Sequence, residues 1–264
     1  MIPKIIHYCW FGRNPMPELA LKCMASWKKF CPDYQIMEWN EDTFDLVSAP
    51  LYVQQAYDAK KWAFVTDFVR LYAVYEYGGI YLDTDVELCK PLDPFTKNSA
   101  YFGFENEQYI NTGLGYGAEK GHPLLKEMMD DYAHIPFILP NGSFDLTPCP
   151  KRNTAVLLRH GLIPDGRRQQ LDHGICILPT EYLCPVDYST GILHKTRKTI
   201  SIHWFSASWH TESEQKKMEA VQKEKRKKYH RYVATHWPLL VLRHILGTEL
   251  YLKFRSALRR ERIK

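Results

Sequence analysis

The sequence predicts an α/β protein with a mainly parallel central sheet, followed by a basic helical tail. Three observations predict it. Short apolar, β-branched runs alternate with segments of helical period; Gly and Pro punctuate the passage from one to the next; and the balance of charge changes sign towards the C-terminus.

Lys4-Ile5-Ile6-His7-Tyr8-Cys9-Trp10 reads as a buried first strand, ended by the turn-forming Gly12-Arg13-Asn14-Pro15. Residues 18–30 have helical spacing, and Tyr34 to Trp39 forms a second strand closed by Asn40-Glu41-Asp42. From Asp58 to Tyr77 the apolar positions Val65, Phe68, Val69, Tyr72, Val74 and Tyr75 fit a helix, which Gly78-Gly79 stops. Ile80 to Leu88 alternates like a strand, and Ala100 to Phe104 is another. Asn111-Thr112-Gly113-Leu114-Gly115-Tyr116-Gly117 is a Gly-spaced loop with weak phosphate-binding character, since no helix opening on Lys-Ser/Thr follows it. A helix is expected from His122 to about His134, and residues 135–200, rich in Pro and Gly, read as irregular excursions over the active face. Thr199 to Trp204 returns to the core as a strand, and Phe205 to Trp209 leaves it. No internal repeat or low-complexity linker interrupts the chain.

The 264 residues hold 45% hydrophobic and 25% charged side chains, the balance of a folded domain rather than of a disordered or membrane-spanning chain. Seven scattered cysteines without a C-x-x-C pair argue against a disulfide framework and against a zinc site, and read as buried small hydrophobes in a reducing compartment. The N-terminus lacks a basic segment followed by a long apolar one, so cytoplasmic residence is expected. From Lys216 onward fifteen Lys/Arg face four Glu, a local charge of +11, so that of the net +5 residues 1–215 carry −6. Two regions follow: a catalytic domain over 1–215 and a basic, amphipathic helical tail over 216–264.

Asp83 and Asp85, two apart in an expected strand, should point their carboxylates to one face. Carboxylate oxygens suit a hard divalent ion that completes its shell with substrate phosphates. Asp-x-Asp alone commonly marks a solvated turn, but here it ends an apolar segment behind a Gly-Gly break. Asp67 and Arg70, spaced i, i+3 on the preceding helix, are either a surface ion pair or a cleft-facing pair. His203 on its strand reads first as a satisfied core histidine, and Trp10 first as core packing, although aromatic faces also stack on bases.

Taken together, Ile2-Pro3-Lys4-Ile5-Ile6-His7 through Trp10, Asp67 and Arg70 ahead of Gly78-Gly79-Ile80-Tyr81-Leu82-Asp83-Thr84-Asp85, and His203 with Ser208-Trp209 resemble glycosyltransferase family 32 over about residues 2 to 210. Its members include bacterial capsular-polysaccharide and lipopolysaccharide sugar transferases and yeast-type mannosyltransferases. The resemblance implies a GT-A-type nucleotide-sugar-binding fold, a nucleotide-sugar donor with UDP favoured, a Mn²⁺ or Mg²⁺ ion, and retention of anomeric configuration. It further implies that Trp10 stacks on the nucleobase, that Asp67, Arg70, Tyr81 and Asp83 line the donor site together with Ser208 and Trp209, that Asp85 holds the metal with Asp83 and His203, and that Asn111 contacts the transferred sugar. Asp83, Asp85 and Asn111 are then the residues nearest the chemistry.

The expected activity is transfer of a hexose or N-acetylhexosamine to a glycan or lipid-linked acceptor in surface polysaccharide synthesis. Paired carboxylates also serve glycoside hydrolases, but two on one strand suit a metal better than a scissile bond flanked from both sides. A non-catalytic carbohydrate-binding protein of the same fold is the other alternative. In the tail, Trp237-Pro238-Leu239-Leu240-Val241-Leu242 with Ile245-Leu246 is too short to span a bilayer. Leu250, Phe254, Ala257 and Leu258 share a helical face, opposite Arg255, Arg259 and Arg262. That pattern predicts reversible attachment to an anionic membrane, on the inner face of the cell membrane, rather than nucleic-acid binding.

Overall fold

The computed structural model describes residues 1–206 and 212–261. Residues 1–187 and 193–206 form one compact unit, and residues 188–192 with the C-terminal helix form the other.

In chain order the elements run β1 (Ile5–Cys9), α1 (Glu18–Phe30), β2 (Gln35–Trp39), α2 (Leu51–Asp58), α3 (Trp62–Tyr77), β3 (Gly79–Tyr81), β4 (Val86–Leu88), β5 (Ala100–Gly103), β6 (Tyr116–Ala118), α4 (Pro123–Ala133), α5 (Cys149–Arg159), β7 (Gln169–Leu171), β8 (Ile175–Leu178), α6 (Thr180–Leu183), β9 (Val186–Asp187), β10 (Ile192–Leu193) and β11 (Ser201–His203), all in the first unit but for Ile192. The main sheet has the order β2-β1-β3-β6-β5-β8-β7. β1 pairs in parallel with β2 and β3, and β5 with β8, whereas β6 and β7 run antiparallel to their neighbours. Five of the seven strands therefore share one direction, which is the α/β class with a mainly parallel sheet that the sequence predicts.

Both faces of the sheet are covered, and the period of two along each strand sorts side chains between them. Ile6, Tyr8, Ile80, Leu82, Tyr101, Cys176 and Leu178 join one apolar cluster with Trp27 of α1 and Leu183 of α6. Cys9, Tyr81, Ala100, Phe102, Tyr116, Ile175 and Ile177 join the other, with Tyr52 of α2, Val65 and Val69 of α3, Leu124 of α4 and Val156 of α5. All seven cysteines are free, and all but Cys89 are buried.

The structure corrects four expectations. The helix expected from Asp58 to Tyr77 begins only at Trp62: Asp58 ends the preceding helix α2, and Lys60, whose φ of +56° no helix continues through, parts the two. Ile80 to Leu88 is not one strand: β3 ends at Tyr81, and a turn closed by Val86 N–H on Asp83 O at 3.0 Å leads into β4. Residues 135–200 are not merely excursions, for they hold α5 and the fully buried β8, central to its half of the sheet. Thr199 to Trp204 does supply a strand, but β11 pairs antiparallel with β4 in a separate two-stranded sheet, His203 opposite Val86.

In the second unit, α7 (Glu212–Glu261) runs for 50 residues with Pro238 inside it. Gln222 and Arg226 donate to the carbonyls of Tyr188 and Thr190, at 2.8 and 3.0 Å, and so tie residues 188–192 to it. The Lys and Arg side chains between 216 and 231 are exposed, as are Trp237 and Val241. Among the described residues no helix is long and apolar enough to cross a membrane. The apolar face predicted through Leu250, Phe254, Ala257 and Leu258, and the basic one through Arg255, Arg259 and Arg262, fall on side chains outside the described residues.

Beneath the edge that carries the site, His7 on β1 is fully buried. Its Nδ1 accepts from the Trp39 indole at 3.1 Å and its Nε2 lies 2.8 Å from the Gly78 carbonyl. An indole N–H only donates and a carbonyl only accepts, so the ring is neutral with its proton on Nε2. Burial pushes its pKa down from 6.5 to about 4, against the pull of the Gly78 carbonyl. The unfolded chain therefore binds a proton that the folded one refuses. Stability from this residue is complete above about pH 6.5 and falls as acid is added down to about pH 4, by up to about 3 kcal/mol. Urea midpoints measured across that window should show the fall, and His7→Gln should flatten it; an unchanged slope would refute the assignment.

Candidate donor and metal site

The site forms where strands end. β1 and β3 are parallel neighbours, Leu82 N–H donates to His7 O at 3.0 Å, and the chain turns just beyond at Asp83-Thr84-Asp85. Ligands of open α/β sheets gather at such carboxyl ends. The turn, rather than a strand, carries both carboxylates. They still converge, because β11 brings His203 against the far end of the turn.

One ligand atom each from Asp83, Asp85 and His203 lies within 4.8 Å of the others. His203 Nε2 is 3.1 Å from Asp85 Oδ1 and 4.0 Å from Asp83 Oδ2. Asp85 Oδ2 accepts from the Ser206 amide at 2.7 Å, and Asp85 O from the Trp204 amide at 3.1 Å, so the chain after β11 wraps this one residue. Phe205, between those two amides, has a φ of +53° and sets its ring 4.2 Å from the imidazole of His203. Burial opposes charge on Asp85, but the His203 imidazolium and the Ser206 amide outweigh it and hold the carboxyl well below the usual range. Burial likewise opposes charge on His203, and the neighbouring Asp85 overrides it, raising the imidazole far above its ordinary value. A tight Asp85–His203 pair is the result.

Two carboxylates and an imidazole converging in this way fit a divalent cation of the Mn²⁺ or Mg²⁺ kind. Nε2 is the ring nitrogen of His203 turned to the carboxylates, and it would give up the proton it shares with Asp85 on taking a cation. Asp83 is the most open of the three, with 24% of its side chain exposed, against 11% for Asp85 and 8% for His203.

Behind Asp83 lies a buried polar layer. The Tyr81 hydroxyl donates to Asp83 Oδ1 at 2.9 Å, and Arg70 Nη2 stands 3.2 Å from the same oxygen and 3.4 Å from Asp67 Oδ1. Arg70 also spends its Nε on the Thr66 carbonyl, faces the Cys149 thiol with Nη1 at 3.6 Å, and lies over the Tyr81 ring at 5.1 Å. Asp67 and Arg70 are almost wholly buried, so the surface-pair alternative is excluded. Burial raises the pKa of Asp67 and of Asp83, with Arg70 opposing the rise in both.

Asn111 joins from the segment between β5 and β6. Its Oδ1 accepts from the Gly113 amide at 2.6 Å and its Nδ2 donates to Glu105 at 2.6 Å. Gly113 leaves the Asp83 carboxylate its place: a Cβ would lie 2.2 Å from Asp83 Oδ2, 3.0 Å from Asn111 Oδ1 and 3.1 Å from Arg70 Nη1, so a larger residue would displace these side-chain ends. The second half of this Gly-spaced segment is strand β6 in mid-sheet, which removes it as a phosphate loop; Gly117 lets β6 pass Tyr101 and the Gly79 carbonyl. Trp10 stands just past β1 at the same sheet edge, half-buried, its indole N–H donating to Asn14 O at 2.6 Å. Ser208 and Trp209 lie outside the described residues.

The structure thus brings together Asp67, Arg70, Tyr81, Asp83, Asp85, Asn111 and His203. Sequence reasoning missed Gly113, Glu105, the Ser206 amide and Cys149. The Gly spacing drew attention to Gly113 for another reason. Cys149 stood among seven cysteines as one more small apolar residue, and nothing local marks it as the neighbour of Arg70.

Residues 17–102 match the family model of the glycosyltransferase sugar-binding region containing the DXD motif, and Asp83-Thr84-Asp85 lies inside that region. The chain is similar to inositol phosphoceramide mannosyltransferase 3 of Schizosaccharomyces pombe, 32% identical over 140 residues that make 52% of this chain and 38% of that one. It is also similar to mannosyl phosphorylinositol ceramide synthase CSH1 of Saccharomyces cerevisiae, 26% identical over 152 residues, 54% of this chain and 40% of the relative. The chain therefore spans about two fifths of the length of these curated relatives. Among solved structures, PaToxG glycosyltransferase matches with a TM-score of 0.46 and 19% identity over 60% of this chain and 69% of that one.

Proposed function

We propose that the chain is a metal-dependent, retaining glycosyltransferase of GT-A type, moving a hexose or N-acetylhexosamine from a nucleotide-sugar, UDP favoured, onto a glycan or lipid-linked acceptor. The observation that carries the reading is the convergence of Asp83, Asp85 and His203 within 4.8 Å, at the end of β3 and inside a DXD sugar-binding region. The curated relatives are named for mannose and for inositol phosphoceramide, which favours a lipid-borne acceptor and adds mannose to the donors to be tried.

In this reading Asp83, Asp85 and His203 hold Mn²⁺ or Mg²⁺. When bound, the ion supplies positive charge against the departing diphosphate, which is electrostatic rather than proton-transfer catalysis. Ser206 and His203 fix Asp85 in one orientation. Arg70, whose Nη2 stands between the two carboxylates, acts by holding Asp83 and Asp67 in place. Tyr81 and Asp83 then face the ribose or sugar, Asn111 the transferred sugar, and Trp10, Ser208 and Trp209 complete the donor site. Retention is assigned no protein nucleophile.

The test is nucleotide release from a panel of UDP- and GDP-sugars, mannose included, with Mn²⁺ present. Release from one donor, lost on chelation, is expected. Cleavage of plain glycosides without metal or nucleotide would favour the hydrolase alternative, and metal-independent sugar binding without release would favour a binding protein.

The domain reading, residues 1–215 as catalytic body and 216–264 as basic tail, goes with attachment to an anionic membrane surface on the cytoplasmic side. The exposed Lys and Arg of α7 support it, at about 1 kcal/mol per basic residue near the lipid. Co-sedimentation with anionic vesicles should fall at least about tenfold when the chain is truncated after His236, since several basic residues and the apolar run are lost together. Equal binding by both chains would remove residues 237–264 from the proposal, and equal retention on nucleic acid would replace it.

A further inference from the structure

Helix α5 comes from the stretch that sequence alone leaves irregular, yet its first turns touch the site at several points. Asn153 Nδ2 donates to Thr112 Oγ1 at 2.9 Å, and the Ile110 amide donates to Thr154 Oγ1 at 2.9 Å. Four residues before Asn153 and on the same helical face, Cys149 Sγ lies 3.9 Å from Asn111 Oδ1, 4.0 Å from Thr112 Oγ1 and 3.6 Å from Arg70 Nη1. Asn153, Thr154 and Thr112 are buried, and Asn153 Oδ1 has no partner among the described residues. Burying polar side chains between a helix and a loop is costly unless their bonds are made, and here the bonds go to one segment, 110–112. That segment in turn supports Asp83, whose amide donates to Gly113 O at 3.3 Å and whose carboxylate has room only because residue 113 lacks a Cβ.

We propose that Asn153 and Thr154 are positioning residues for the donor site, holding segment 110–113 at the height where Asn111 faces the sugar and Gly113 seats Asp83. This rests on the glycosyltransferase reading above. α5 is then the fixed wall of the site opposite the turn that carries the two carboxylates.

The test uses the full chain with Thr154→Val, which keeps the shape and removes the acceptor, Thr154→Ser, which restores it, and Asn153→Leu. Hydrogen exchange without ligand should accelerate about tenfold in the peptide covering 104–116 for Thr154→Val and Asn153→Leu, and stay as in the wild type for Thr154→Ser. Donor KM should rise about tenfold in the same two variants with a smaller change in kcat, since a loose loop binds donor less well while the bound complex still reacts. Unchanged exchange in that peptide, or kcat falling with the folded fraction at constant KM, would overturn the proposal. If the wild type releases no nucleotide from any donor, the donor reading has failed, and the exchange arm alone still decides whether α5 holds the segment.

Discussion

Replacing Asp85 by Ala should lower nucleotide release from the preferred donor by at least about 10²- to 10³-fold at saturating Mn²⁺, the scale on which preorganised charge acts in such sites. Asp85 is the residue on which the site closes. Its side chain meets His203 and the Ser206 amide, and its carbonyl takes the Trp204 amide. Ala removes a cation ligand, releases His203 from its counter-charge and frees the turn after β11, while the backbone bond to Trp204 survives. Asp85→Asn keeps the shape and an acceptor for Ser206 but not the charge, so its activity should fall as far while its melting temperature stays closer to that of the wild type. Turnover near the wild-type rate in Asp85→Ala would sink the metal assignment. Loss of turnover in Ala with full activity in Asn would place the effect in the turn rather than in the charge.

The elements with a strong local signature were legible in the sequence: β1 and β2 by their apolar runs, α1 and α4 by period, and the stop at Gly78-Gly79, where Gly78 has a φ of +66° and Gly79 of +113°. Asp83, Asp85 and His203 were legible as chemistry, and their meeting was legible from the family resemblance but not from local spacing. The sequence reading has the two carboxylates converge because residues i and i+2 of a strand share a face; in the structure a turn and a distant strand, β11, bring them together. β8 was missed although Ile175-Cys176-Ile177-Leu178 is the short apolar run of a doubly covered strand, because the Pro- and Gly-rich surroundings masked it. What spacing could not give is the long-range part. Whether Asp67 and Arg70 face water or Asp83, and whether Cys149 is filler or neighbour to Arg70, depends on how α3 and α5 pack, and no local rule encodes that.

Arg70 marks the difference most sharply in energy. As half of an exposed pair, its loss would change stability by under about 1 kcal/mol. The structure instead sets its guanidinium, 5% exposed, between Asp67 and Asp83, with the Thr66 carbonyl and the Tyr81 ring completing its surroundings. Arg70→Ala strands two carboxylates in a buried layer and should destabilise the fold by about 3–5 kcal/mol, visible as a lowered urea midpoint at neutral pH. Burial already raises the pKa of Asp67 and Asp83 against the opposition of Arg70. Without the guanidinium both carboxyls should move further up, and the deficit should shrink as pH falls and they take up protons, the reverse of the wild-type trend set by His7. Arg70→Lys keeps a charge but cannot reach Asp67, Asp83 and the Thr66 carbonyl together, so it should recover part of the stability and little of the donor affinity. Denaturation of Arg70→Ala at pH 7 and at pH 5 checks both statements. A loss under about 1 kcal/mol, or one that grows in acid, would mean that Arg70 does not hold the two carboxylates.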